Sequence, residues 1–176
     1  VATPAPQPTP DAEFYRKRAD ASLSKGDFTG AISDYDKAVE LKADYSIAFL
    51  NRGKARYSLR EFDKAMEDFN KTIAIDPNSA AAYYNRGSSL ETAGKLDEAA
   101  ADYKKALSLD GSSELVKTAL KRVEDELGRL AAAKKAAETP PVPEPVKQPE
   151  PEAVPTSINM GTLALADAVR LVTPTY

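Results

Sequence analysis

Three arginines and three aspartates recur along the chain at a fixed interval of 34 residues, and their types and spacing favour a specific chemistry. A guanidinium group can hold a carboxylate through two parallel hydrogen bonds, which makes either an internal ion pair or a site for an anionic ligand. Because a partly buried arginine is rarely left unpaired, the pattern favours an internal brace over an anion site. The residues are Arg18, Arg52 and Arg86 and, 16 positions later in each case, Asp34, Asp68 and Asp102.

Composition argues against several other classes of site. The chain of 176 residues has no histidine and no cysteine, which removes imidazole and thiolate metal ligands and every nucleophile activated by histidine. Asp20 and Glu91 lie two repeats apart, so no paired acid is indicated. We therefore predict a protein that is not an enzyme and that uses no cofactor or metal. The net charge of −3 argues against a nucleic-acid partner, and no apolar run approaches the ~20 residues of a membrane span.

Much more of the sequence than these charges repeats at the same interval. Residues 46–79 align without a gap on residues 12–45 and on residues 80–113, and a fixed period of this length is typical of stacked-repeat proteins. Two aromatic positions, one large apolar position and one alanine position recur in all three units. These residues are Tyr15, Phe49 and Tyr83; Tyr35, Phe69 and Tyr103; Phe28, Phe62 and Leu96; and Ala31, Ala65 and Ala99.

Each repeat is predicted to contain two helices. The spacing of Phe62, Phe69 and Ile73 follows the period of 3.6 residues that is typical of an amphipathic helix. Proline breaks helices, and Pro77 is the only proline within residues 11–139. We place the six helices at residues 12–24, 28–41, 46–58, 62–75, 80–92 and 96–109.

After residue 113 the period is lost, but an amphipathic helical pattern continues through residues 114–138. A stack of helical pairs leaves an apolar face at its end, so a capping helix is expected there. The end of this helix is either a solvated extension or a short helix–helix dimer contact. The predicted organisation is a proline-rich tail (1–11), three repeats (12–45, 46–79 and 80–113), the capping helix (114–138), an acidic proline-rich linker (139–157) and an apolar C-terminal segment (158–176).

This pattern resembles the tetratricopeptide repeat family, which combines an aromatic residue, a small residue one turn later and an Ala-x3-[Phe/Tyr]-x2-Ala run. The resemblance covers residues 12–113, with Ala31, Tyr35 and Ala38 as one instance of the run. One departure is regular, because arginine occupies the position before the small residue where the family usually has leucine. The resemblance implies an all-α fold, a right-handed superhelical stack of three helix-turn-helix repeats plus a long C-terminal capping helix.

In this family the second, fifth, ninth and twelfth positions of the first helix of each repeat face the inside of the superhelix. With Ile47, Leu50, Tyr57 and Tyr84 exposed there, the groove would be a partly apolar trough, which usually marks a binding site. We therefore expect an interaction scaffold that binds a partly apolar peptide or helix of a protein partner. The groove residues are Arg16, Asp20, Leu23, Ile47, Leu50, Asn51, Lys54, Tyr57, Ala81, Tyr84, Asn85, Ser88, Glu91, Thr118 and Arg122.

Some members of the family grip a C-terminal carboxylate through Lys, Asn and Arg side chains on these helices. Arg16 and Asn51 match that pattern, whereas Asp20, Ala81 and Asn85 depart from it. Because Asp20 would repel a carboxylate, we expect an apolar or mixed peptide rather than the tail of a chaperone.

The C-terminal segment offers a candidate ligand. Leu163, Leu165, Val169 and Leu171 belong to a short amphipathic pattern, and a lone helix of that length needs a surface on which to bury its apolar residues. The other interpretations are a disordered end and the start of a further domain. Docking within one chain would make the segment an autoinhibitor. Self-assembly, through exchange of the segment or through the capping helix, is the alternative function.

The N-terminal residues give an indication of the cellular compartment of the protein. The chain begins with Val1 rather than methionine and continues with a proline-rich tail. We therefore expect an exported or processed chain rather than a cytoplasmic one.

Overall fold

The computed structural model describes residues 10–138, and this part of the chain forms seven α-helices and no strand. The remaining residues, which include Leu163, Leu165, Val169 and Leu171, lie outside the described part. All seven helices have the bounds predicted from the sequence. They are α1 (Ala12–Ser24), α2 (Phe28–Leu41), α3 (Ser46–Ser58), α4 (Phe62–Ile75), α5 (Ala80–Thr92), α6 (Leu96–Leu109) and α7 (Glu114–Glu138).

The first six helices form three consecutive pairs, each pair joined by a short turn, and each second helix also packs on the next repeat. Within each pair the helices approach closely because alanine lies at the contact. Ala31, Ala65 and Ala99 are fully buried, as the repeat pattern predicts. The aromatic side chains one turn later, Tyr35, Phe69 and Tyr103, are also fully buried and are the largest fully buried side chains of the described residues.

The second and third repeats depend on a glycine at this contact. A Cβ atom on Gly53 would lie 2.6 Å from the ring of Phe69, and one on Gly87 would lie 2.9 Å from the ring of Tyr103. Both distances are shorter than a van der Waals contact, so a methyl group would force the ring or the backbone to move.

The turn inside each repeat passes through one residue with positive φ. Gly26 and Gly94 adopt φ of 79° and 74°, which glycine tolerates at no steric cost. In the middle repeat Arg60 adopts φ of 64°, a conformation that costs a residue with a Cβ atom roughly 1–2 kcal/mol. The middle turn therefore carries strain that the outer two turns lack.

The predicted ion pair is present in every repeat. In the middle repeat Arg52 donates to the Asp68 carboxylate from Nε at 3.0 Å and from Nη2 at 2.6 Å. The other two repeats contain the same fork, with N–O distances between 2.5 and 2.7 Å. The pairs are Arg18–Asp34, Arg52–Asp68 and Arg86–Asp102.

The remaining guanidinium nitrogen joins neighbouring repeats. Arg52 Nη1 donates to Oδ1 of Asp36 in α2 at 2.7 Å, and Arg86 donates to Oδ1 of Asn70 in α4 at 2.8 Å. Asp36 and Asn70 occupy equivalent positions of the first two repeats, and Lys104 occupies that position in the third. The Nζ atom of Lys104 lies 2.9 Å from Oε1 of Glu124 in α7. Between repeats the cation belongs to the following first helix, whereas at the capping helix the cation belongs to the second helix α6 and the carboxylate to α7.

Helix α7 caps the last repeat over its first half. Val116 and Val123 are buried against the core of the third repeat, and Leu127 is half-buried at the edge of the same cluster. Beyond Leu127 the helix leaves the domain surface, and Leu130 is 53% exposed. The cap agrees with the sequence analysis, and a dimer contact at the free end stays a prediction.

Candidate functional site

The first helices of the repeats lie next to one another, with contacts from α1 to α3 and from α3 to α5. Side chains join them further along the predicted groove. Tyr57 Oη lies 3.0 Å from Oγ of Ser88, and Arg122 of α7 contacts Glu91 of α5. We call the surface formed by the predicted groove positions of α1, α3, α5 and α7 the concave face.

Asp20 is the centre of a polar network at the α1 end of the concave face. Its carboxylate accepts hydrogen bonds from Tyr35 Oη at 2.5 Å and from Asn51 Nδ2 at 3.1 Å, and it forms an ion pair with Arg16. Burial and the hydrogen bond to Asp20 raise the pKa of Tyr35. Asp20 therefore engages the two residues, Arg16 and Asn51, that match the family's carboxylate clamp.

Arg16 has further partners in α1 and in the loop before α3. Its Nη2 lies 2.7 Å from Oε1 of Glu13, and its Nε donates to Tyr45 Oη at 2.7 Å. The hydrogen bond from Arg16 is the main cause that lowers the pKa of Glu13 to about 2. Arg16 is thus engaged within the protein by Asp20, Glu13 and Tyr45.

A second network lies at the α7 end. Arg122 donates to both carboxylate oxygens of Glu91 at 2.7 and 2.8 Å, and Tyr103 Oη donates to the same carboxylate at 2.7 Å. The hydrogen bond from Arg122 is the main cause that lowers the pKa of Glu91, while burial raises the pKa of Tyr103. This network links α7 to α5 and brings two predicted groove residues together.

Lys54 lies in α3, between the two networks. Its Nζ lies 3.2 Å from Oδ1 of Asn51, and among residues 10–138 no carboxylate lies within ion-pairing distance of it. The side chain is half-buried, and desolvation lowers the pKa of the ammonium group.

The predicted apolar trough is wrong at Leu50. Only 7% of this residue is exposed, because its side chain packs with Ala65, Phe69 and Ala82 in the core of the middle repeat. A leucine at the fifth helix position has no polar tip to reach solvent, whereas the equivalent Arg16 and Tyr84 do. Leu50 therefore supports the concave face from below and offers no surface to a ligand.

The other predicted groove residues are more accessible than Leu50. Ile47 is 44% exposed, whereas Leu23 and Tyr57 are half-buried against the core clusters. Asn85 and Thr118 donate to main-chain carbonyl groups one turn earlier in their own helices, at 2.7 and 2.9 Å.

An open cavity of about 220 Å³ lies where α5, the end of α6 and the start of α7 meet. Ala81 and Tyr84 line it from α5, and Leu115 and Val116 line it from α7. Leu115 is 62% exposed at its edge. Sequence analysis assigned Ala81 and Tyr84 to the groove but did not predict the cavity, because its walls combine a repeat with a helix outside the 34-residue period.

Two family models match the repeat region. One, described as tetratricopeptide repeat, matches residues 50–114, and the other, described as TPR repeat, matches residues 19–60. This chain belongs to the tetratricopeptide repeat (TPR) family. The two matches together span residues 19–114, which include parts of all three repeats, and no curated protein is a significant match.

Solved TPR structures share the fold. The Arabidopsis OM64 TPR domain is 29% identical, with a TM-score of 0.64 over 65% of this chain and 95% of that chain. The first TPR of Spaghetti (RPAP3) bound to HSP90 peptide SRMEEVD is 24% identical, with a TM-score of 0.66 over 67% and 94%. The TPR2B-domain:pHsp70-complex of yeast Sti1 is 23% identical, with a TM-score of 0.63 over 65% and 97%. These likenesses confirm the all-α superhelical repeat stack.

No group of three or more potential metal-ligating side chains occurs among residues 10–138. Within the same range, every helix is too short or too polar to cross a membrane.

Proposed function

We propose that this protein is a non-enzymatic scaffold that binds a partly apolar segment of a protein on its concave face. The observation that carries the proposal is the open cavity lined by Ala81, Tyr84 and Leu115, which is large enough for an aliphatic side chain. Polar networks around Asp20 and Glu91 lie elsewhere on the same face. Two of the similar structures are complexes with chaperone peptides, which supports peptide binding as the class of function.

The ligand expected here differs in chemistry from a peptide held by its terminal carboxylate. Arg16 and Asn51, the two matches to that kind of clamp, are both engaged by Asp20. The positions where the clamp needs further cations hold Ala81 and Asn85. An apolar side chain that enters the cavity therefore supplies the main anchor.

The chain's own residues 158–172 are the candidate ligand. The linker 139–157, at ~3.1 Å per residue when extended, spans roughly 60 Å, which exceeds the length of a three-repeat domain. Tethering of this kind gives an effective concentration in about the millimolar range, so even a weak contact is populated. An outside partner would then have to displace the segment.

Trypsin digestion of the full chain tests this proposal. Cleavage after Arg170 reports on the C-terminal segment, and cleavage after Lys147 in the linker serves as the internal reference. Ala81→Glu and Leu115→Glu place a charge at exposed positions of the cavity and should speed cleavage after Arg170 relative to Lys147. Leu41→Glu, at an exposed leucine in the first repeat, is the matched control and should leave the ratio unchanged. An unchanged ratio in both cavity variants would show that the segment does not occupy the cavity.

A further inference from the structure

An open cavity of about 370 Å³ lies between the second and third repeats, where α4, α5 and α6 meet. It uses positions seven and eleven of α5, whereas the concave face uses positions two, five, nine and twelve. With about 3.6 residues per turn, these two sets lie on opposite sides of the helix. We call this cavity the junction cleft, and the residues that line it include Met66, Asn70, Arg86, Leu90, Glu98 and Asp102.

An arginine of the chain itself occupies the equivalent place between the first and second repeats. Arg56 lies 34 residues before Leu90, and its Nη1 donates to Oδ2 of Asp68 at 3.0 Å. Its Nη2 lies 3.9 Å from Oδ1 of Asp36, and its side chain is only 16% exposed. Arg52 contacts the same two carboxylates at 2.6 and 2.7 Å. Two guanidinium groups therefore balance two carboxylates in this earlier junction.

The junction cleft has two carboxylates but only one guanidinium group. Arg86 uses Nε and Nη2 to bind Asp102, and its Nη1 donates to Asn70. Among residues 10–138, Glu98 forms its only ion pair with Lys95, at 3.9 Å. Both side chains of that pair are more than half exposed, so it contributes little. A cation that enters the cleft would therefore meet an available carboxylate.

We propose that the junction cleft binds an arginine side chain of a partner protein. The guanidinium group takes the place that Arg56 has in the earlier junction, and it donates to Oδ2 of Asp102 and to Glu98. Oδ2 of Asp102 is equivalent to the oxygen of Asp68 that accepts from Arg56, and each of these two oxygens also accepts from the Nε of its own repeat's arginine. The site lies apart from the concave face, so this inference goes beyond the proposed function and adds a second point of attachment to the scaffold.

The shape of the cleft favours arginine over lysine. Met66 and Leu90 form an apolar wall on which the methylene groups of a long basic side chain can lie. A planar guanidinium group carries several donors and can reach both Asp102 and Glu98, whereas an ammonium group is a compact and strongly hydrated charge.

NMR of the full chain with methyl-labelled methionine tests this site. The chain has two methionines, Met66 in the cleft and Met160 outside the described residues, so one signal reports on the cleft and the other is a reference. N-acetyl-arginine methylamide should shift the Met66 signal and leave the Met160 signal unchanged. The citrulline analogue has the same shape without the charge and should bind about fivefold more weakly, the size expected for one partly exposed ion pair.

Two variants change the cleft itself. Leu90→Arg gives the third repeat its own guanidinium group at the position of Arg56, so it should fill the cleft and abolish the shift of the Met66 signal. Glu98→Gln removes an exposed carboxylate and should weaken binding by about two- to fivefold. Glu40→Gln, at an exposed glutamate of α2, is the matched control and should bind like the wild type. Circular dichroism melting checks that each variant is folded.

Each outcome decides the question. An unchanged Met66 signal in the wild type, or equal binding of the arginine and citrulline derivatives, would overturn the proposal. A shift that persists in folded Leu90→Arg would place the ligand elsewhere and would also contradict it. If Leu90→Arg does not fold, the comparison of Glu98→Gln with Glu40→Gln decides, because equal affinity in these two variants excludes Glu98 as a partner of the ligand.

Discussion

At the scale of single residues, the closest helix–helix approach in the middle repeat depends on Gly53. A methyl group there would meet the Phe69 ring at 2.6 Å, and the ring is fully buried and has no free space to enter. We expect Gly53→Ala to destabilise the protein by about 1–3 kcal/mol, as overpacking of a core does. Urea unfolding followed by circular dichroism measures the change.

Gly128→Ala is the control for helix propensity. Gly128 lies in α7 with no atom near the position of a Cβ, so the same substitution should stabilise that helix by up to about 1 kcal/mol. Equal effects of the two substitutions would show that the contact between Gly53 and Phe69 is not tight.

Some residue-level features followed from the sequence because they repeat. The buried alanines and the Arg–Asp pairs recur every 34 residues, so a pairing between the two helices of one repeat explains all three copies at once. The partners of Asp20 were not predicted, because Tyr35 and Asn51 come from different repeats and the positions equivalent to Asp20 hold Lys54 and Ser88. Leu50 was misplaced because leucine, unlike Arg16 and Tyr84 at the equivalent positions, has no polar tip to reach solvent.

At the scale of elements, every predicted helix has the predicted bounds. Helix ends are set by local signals, such as the Asp27 side chain that accepts from Gly30 N at 2.9 Å, and such signals are readable in one sequence. The attachment of α7 to the repeats was not readable in detail. It uses Glu91–Arg122 and Lys104–Glu124, which pair a residue inside the period with one outside it.

The Glu91–Arg122 pair should make the attachment of α7 depend on pH. The hydrogen bond from Arg122 lowers the pKa of Glu91 in the folded state below its ordinary value of 4.5. Stabilisation of the folded state by the Glu91 carboxylate is therefore complete above about pH 4.5. It is lost as the pH falls through the lower pKa that Glu91 has in the folded state. We expect Glu91→Gln to cost about 1 kcal/mol near neutral pH and almost nothing well below the folded pKa.

Thermal unfolding of the wild type and of Glu91→Gln between about pH 6 and pH 3 measures this difference. Glu98→Gln, at an exposed glutamate whose nearest cation is 3.9 Å away, is the control. A gap between wild type and Glu91→Gln that stays constant across this range would contradict the prediction.

At the scale of the whole molecule, the oligomeric state separates docking within one chain from self-assembly. Because the linker 139–157 is long enough for the segment to reach its own concave face, we expect the full chain to sediment as a monomer of 18.9 kDa. A truncation to residues 1–138 should also be a monomer. A dimer of the full chain alone would indicate exchange of the C-terminal segment, and a dimer of both would indicate a contact through the exposed end of α7.

The reversed link at Lys104 has a consequence for how this array could grow. Consider a duplicate of residues 46–79 inserted after residue 79. The duplicate's copy of Arg52 would face the original Asn70, and its copy of Asn70 would face Arg86. Every junction between repeats would therefore keep an arginine and a hydrogen-bond acceptor. The same duplicate placed after residue 113 would set its arginine against the ammonium group of Lys104. Lys104 therefore disfavours a further repeat at the C-terminal edge of the stack, whereas insertion of a repeat within the stack keeps every junction intact.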